Sequence, residues 1–232
     1  MASYRCENRN IAFNLRQIEL AMKSSEGKVD LLCFGEAFLQ GFDALSWDYE
    51  TDRAIALEQS SETMAQLQRW TIQHGISLIA GYIEKEREKL YSSCIVISDG
   101  KIIHNYRRIS KGWKEYSKTY AHYCEGNEVA PFQLHGRNIM LALCGDLWEF
   151  PERFRTEHLL IWPVYVNYTV EEWNQGNVEE YAIQASMAAK DVLMINPIDV
   201  ASMNHGGSFH FQNGKTVARI PFDQEEILIV EI

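Results

Sequence analysis

Four short apolar runs constrain this chain more than anything else in it: VDLLCFGE (29–36), NIMLALC (138–144), LIWPVY (160–165) and VLMINP (192–197). Each is too short for a typical helix, and each sets apolar residues side by side instead of alternating them. That is the pattern of a strand buried on both faces. Amphipathic segments alternate with these runs. NIAFNLRQIELAMK (10–23) repeats Ile11, Leu15, Ile18 and Met22 behind an N-cap at Asn10, and SETMAQLQRWTIQHG (61–75) repeats Met64, Leu67 and Ile72 between Ser61 and Gly75. Residues 150–160 and 178–191 are also expected to be helical.

A further strand is expected at ISLIAGYIE (76–84), and the apolar-rich EILIVEI (226–232) comes last. Two hairpins are marked by turn dipeptides, Asp99-Gly100 within 90–110 and Asn213-Gly214 within 208–221. No linker, repeat or low-complexity tract interrupts the pattern, so the expectation is one α/β domain over residues 1–232. Strands buried on both faces need cover on each. Two mixed sheets stacked face to face, with helices outside, supply it in a four-layer α-β-β-α sandwich.

Composition narrows the function classes. With 32 acidic against 22 basic residues, the formal charge is −10, which argues against a broad nucleic-acid partner. No apolar run approaches the ~18 residues of a membrane span, and the polar opening MASYRCENRN has no signal-peptide pattern. The five cysteines are widely spaced with no CxxC pair. Free thiols and a cytoplasmic location are therefore expected, with Cys33 and Cys94 as buried filler. Metal support is thin, resting only on His122 with Cys124 or His205 with His210. None of the seven histidines sits in a catalytic signature.

Reactive residues gather at strand ends. Glu36 directly follows a buried strand, where burial suits a carboxylate to general-base work. The cluster YRRISKGWKE holds Arg107, Arg108, Lys111 and Lys114, interleaved with Tyr106 and Trp113. Cys144 ends a third run, and Gly145 behind it leaves room for a tight turn whose N–H groups could hold an oxyanion. Taken singly, each has a bland reading: a loop acid, a solvated basic loop, an inert core thiol.

Together, in this order, the three segments resemble the nitrilase or carbon–nitrogen hydrolase superfamily, whose members carry a Glu-Lys-Cys triad. FGEAFLQGF is similar to the family's glutamate segment, with Gly35 where proline is usual. LCGDLWEFPE is similar to its cysteine segment, with Cys144, Asp146, Phe150, Pro151 and Glu152 in place. HGGSFHFQNGKTVARIP resembles its late hairpin. Two features depart from the family pattern. Arg108 stands where the lysine usually follows Tyr-Arg, and MASY resembles only the tail of the family's longer first strand, which implies a truncated strand.

The resemblance implies Glu36 as base, Cys144 as nucleophile and Lys111 as the cation, with Lys114 as second choice. Arg108 is set aside because its fork and permanent charge differ from a compact ammonium. It nominates Glu115, then Glu125, as a second glutamate, and Trp113, Gly145, Trp148, Trp162, Tyr165 and Asn167 as substrate-binding residues. It implies hydrolysis of a small amide through a thioester, with no metal or organic cofactor, in a homodimer or larger homo-oligomer. A nitrilase, an N-carbamoyl amino acid hydrolase and a non-catalytic binding protein are the alternatives.

Overall fold

The computed structural model describes residues 1–119 and 121–231. Ten strands form two sheets: β1 (Leu31–Cys33), β2 (Ser77–Glu86), β3 (Lys89–Ser98), β4 (Lys101–Arg107), β5 (Phe132–Leu134), β6 (Arg137–Leu141), β7 (Leu159–Pro163), β8 (Asp191–Ile195), β9 (Ser208–Gln212) and β10 (Lys215–Arg219). Strands β1-β2-β3-β4 make a four-stranded sheet, and β10-β9-β8-β7-β6-β5 a six-stranded one. In the first sheet only β1 and β2 are parallel. In the second, β6, β7 and β8 run parallel and the outer strands are antiparallel. This is the expected α/β class with mixed sheets. Both hairpin dipeptides adopt positive φ at each residue, 48° and 72° at Asp99-Gly100 and 49° and 74° at Asn213-Gly214, as a type I′ turn requires.

Side-chain alternation shows how the sheets are covered. Cys33, Ile79, Cys94 and Val96 of the first sheet share one core with Ile139, Leu141, Leu160 and Ile161 of the second. Their neighbours Leu32, Leu78, Ala80, Ile95 and Ile97 point the other way, into a second core with Ile18, Met22, Met64 and Leu67. Those last four come from helices α1 (Ile11–Ser25) and α3 (Glu62–His74), which flank α2 (Tyr49–Ile55) in the chain. The period of two thus sorts one strand between a sheet and a helix layer. Asn10 caps α1 through the Phe13 amide, and Ser61 caps α3 through the Met64 amide. In the second half come α4 (Asp146–Glu149), α5 (Val170–Glu172) and α6 (Val178–Ser186), and α6 packs on β8, β9 and β10.

Several sequence expectations are corrected. Ile72 is 67% exposed, because the buried stripe of α3 runs Met64, Leu67, Thr71, His74 at helical spacing and Ile72 lies off it. Residues 150–160 are not a helix. Phe150, ahead of Pro151, is held non-helical (φ −139°, ψ 47°), as the residue before a proline tends to be. A 3₁₀ turn, Pro151–Phe154, leads into β7. Helix α6 stops at Ser186, and of the last segment only Glu226–Ile227 is strand. It pairs with Ala2–Ser3, so the opening residues belong to neither large sheet. No helix among the described residues is long and apolar enough to cross a membrane.

Candidate active site

The two sheets bring their strand ends together at one point. Beyond β1, the Glu36 amide donates to the Val164 carbonyl beyond β7 (3.1 Å), which ties one sheet's end to the other's. The Glu36 side chain is wholly buried. Its Oε1 accepts from Ser92 Oγ (2.8 Å) and from Arg108 Nη1 (2.9 Å). Its Oε2 is buried with no partner, an unsatisfied acceptor that a structural carboxylate would not normally keep.

Cys144 lies three residues past β6. Its amide donates to the Pro163 carbonyl (3.0 Å), so the backbone still follows the parallel ladder, and then φ turns to +39°. A left-handed cysteine is a strained conformation of the kind concentrated at functional sites. Trp162 Nε1 donates to the Cys144 carbonyl (2.9 Å), and the thiol faces the Tyr165 carbonyl (3.7 Å). Burial first, then the charge of the Glu36 carboxylate, push the thiol up to about 12, while Arg108 opposes them.

Asp146 fixes this turn. Its buried carboxylate accepts from the Leu143 amide (2.8 Å), the Ser110 amide (2.8 Å), the Ile109 amide (3.1 Å) and the Tyr106 hydroxyl (2.6 Å). One side chain therefore holds the cysteine turn to the segment that follows β4. Burial raises the Asp146 carboxyl above its ordinary range, with Arg108 working the other way.

The cation beside Glu36 is Arg108, not Lys111. The Arg108 amide donates to the Ser92 carbonyl (2.9 Å), which continues the β3–β4 pairing one residue further and turns the side chain inward, where it is 3% exposed. Nε donates to Ser110 Oγ (2.7 Å). Lys111 opens a 3₁₀ turn, Lys111–Trp113, and is exposed. Its amide donates to Glu149 (3.1 Å), and its ammonium makes no hydrogen bond or ion pair among the described residues. Lys114 is bound elsewhere, to Glu125 (2.7 Å) and the Tyr123 carbonyl (2.5 Å).

The remaining nominees divide. Glu115 is exposed and accepts from Ser117 (2.9 Å), apart from the Glu36–Arg108 pair. Gly145 and the Tyr165 backbone stand at the thiol, while the Tyr165 hydroxyl is committed to Asp199 (3.0 Å) and Asp43 (3.2 Å). Trp162 is fully buried and stacks on Tyr181, and Trp148 packs edge-on against the same ring. Trp113 is buried against Tyr123, and Asn167 is exposed. His205 pairs with Asp223 and His210 with Asp191. The sequence reading missed Ser92 and Ser110, which carry no motif. Arg108 occupies the place of the segment's cation, while its residue type points away from that role and toward Lys111.

The family model described as carbon-nitrogen hydrolase matches residues 2–232. The chain belongs to the carbon-nitrogen hydrolase family. It is 26% identical over 140 residues to a glutamine-dependent NAD(+) synthetase of Thermotoga maritima, a match covering 58% of this chain and 23% of that protein. The chain thus spans about a quarter of the curated relative it matches. Its fold is similar to that of XC1258 from Xanthomonas campestris, a CN-hydrolase superfamily protein solved with an arsenic adduct in its active site. The TM-score is 0.78 at 16% identity, covering 97% of this chain and 86% of that one. It is also similar to a glutamate-to-glutamine variant of an amidase from Nesterenkonia sp. AN1, solved with the acetamide moiety of fluoroacetamide added covalently at the active-site cysteine. There the TM-score is 0.71 at 17% identity, covering 94% and 84%.

Proposed function

We propose that this chain hydrolyses the carbon–nitrogen bond of a small amide through a thioester on Cys144. One observation carries the reading: Glu36 keeps a buried, unpartnered carboxylate oxygen, and its carboxylate acts on a half-buried thiol set on a strained turn. With its proton held so firmly, the thiol does not ionise in advance at neutral pH. Glu36 takes the proton as sulfur bonds to the carbonyl carbon. The Gly145 amide, next after the nucleophile, is the backbone donor for the oxyanion. Glu36 then delivers the proton to the departing nitrogen as the carbon–nitrogen bond breaks. It next takes a proton from water, whose oxygen attacks the thioester, and the thiol is returned with a carboxylic acid as product. Support comes from the family membership and from the cysteine adduct of the Nesterenkonia amidase.

The similarity to a glutamine-dependent synthetase favours glutamine as one amide to test. Ammonia release should be measured on glutamine, small primary amides, nitriles and N-carbamoyl amino acids, with Cys144→Ala as the blank. Turnover of an amide that the variant loses is the expected result. Binding without turnover by either protein would make the chain a non-catalytic member of its family.

A further inference from the structure

We infer that Arg108, held by Ser110, is the catalytic cation of this site, and that no lysine shares the role. The inference rests on the hydrolytic reading of Cys144 and adds a residue to it. Three observations place the guanidinium. Nη1 donates to Glu36 Oε1 and Nε donates to Ser110 Oγ, which fixes the plane of the fork from two sides. Ser110 is in turn pinned through its amide to Asp146, the carboxylate that shapes the cysteine turn. The remaining nitrogen, Nη2, lies against that turn: a Cβ added at Gly145 would stand 2.4 Å from it, and one at Gly112 3.2 Å. Glycine at 145 is therefore what lets the guanidinium approach the backbone beside the nucleophile, and glycine at 112 leaves it room.

The N–H groups of Nη2 have no protein acceptor among the described residues, so they are available to negative charge that forms at Cys144. Arginine changes the chemistry in one respect. A guanidinium does not release its proton in a protein, so it holds charge but relays none. Every proton transfer falls to Glu36. Lys111 is left as a solvent-facing side chain of the next turn.

The test uses thiol reactivity, so it needs no known substrate. Iodoacetamide alkylates a thiolate, forming a thioether and releasing iodide, and the tryptic peptide 138–153 contains Cys144 as its only cysteine. Labelling of that peptide at pH 8 should be about tenfold slower in Arg108→Lys and in Arg108→Ala, the loss that one unit of thiol pKa produces. Lys111→Ala should label at the wild-type rate. Millimolar guanidinium should restore labelling to Arg108→Ala, and methylammonium should not. Ser110→Ala, which keeps the charge and loses one anchor, should slow labelling about threefold, by roughly half a pKa unit. It also keeps the test decisive if Arg108→Ala does not fold. Wild-type labelling in Arg108→Lys and Ser110→Ala, or a tenfold loss in Lys111→Ala, overturns the inference. If Arg108 governs labelling but no amide is turned over, the hydrolytic reading fails and the Arg108 assignment stands.

Discussion

Two neighbouring arginines pair with two buried glutamates, and the pairs differ in one respect. Arg107 holds Glu84 through Nε and Nη2 (2.8 Å each). Ser93, Asn105 and Gln59 complete the shell around both carboxylate oxygens. Glu84 has every lone pair it needs answered, and hydrogen bonds led by Arg107 hold its carboxyl below the ordinary range against the opposing effect of burial. Arg108 holds Glu36 by one nitrogen, Ser92 adds one hydroxyl, and the second oxygen is left bare. Satisfied polar networks fix structure, and unsatisfied ones mark where a ligand or reacting atom completes the shell. A cavity of about 360 Å³ borders Arg107, lined by Gln59, His104 and Asn105 among others. It touches none of Glu36, Arg108 and Cys144. The size of an opening is a poorer guide to chemistry here than an unanswered oxygen.

The contrast can be broken by exchanging one atom in each glutamate. Glu36→Gln should lower turnover per folded molecule about 10³-fold, within the range for a lost general base, and it also leaves buried Arg108 without its carboxylate. Glu84→Gln should act on stability alone. It disrupts a buried, fully bonded ion pair at a cost of about 3 kcal/mol, seen as a fall in denaturant midpoint with turnover per folded molecule kept. Equal effects of both substitutions on turnover would erase the distinction.

Asp146→Asn should fall between them. It removes charge from a carboxylate whose two oxygens accept from four donors and should cost about 2 kcal/mol. It should also slow Cys144 labelling, since the turn and the Arg108 segment lose their common anchor. The smallest effect is alkaline. Burial raises the Cys33 thiol to about 11 and the Cys144 thiol to about 12, so the folded chain keeps protons that the unfolded chain releases above about pH 9. Stability from these groups is whole below pH 9 and is lost as pH climbs through 11 and 12. Chemical denaturation at pH 10 against pH 8 should show a loss of about 1 kcal/mol for each thiol.

Much of the fold was legible because the signals were local. The apolar runs became β1, β6, β7 and β8, and the two turn dipeptides forced type I′ hairpins. Glu36 and Cys144 were legible for a related reason: each directly follows a run that can only be a buried strand, so its backbone position was set before its chemistry was considered. Arg108 was legible by place and not by residue type, and what turns it inward is one extra pairing between its amide and Ser92, a contact between segments that no local pattern records. Lys111 has the residue type and lacks that pairing. The helix expected over 150–160 failed at Pro151, which starts a turn and cannot continue a helix already begun at Asp146.

The central claim is that Cys144 carries the acyl group. Rapid-quench mass spectrometry of peptide 138–153, taken within the first turnover of an amide the protein hydrolyses, tests it directly. An acyl mass on Cys144 that decays as the carboxylic acid appears is the predicted result. Ammonia release with no adduct on that peptide, or release that persists in Cys144→Ala, would contradict it.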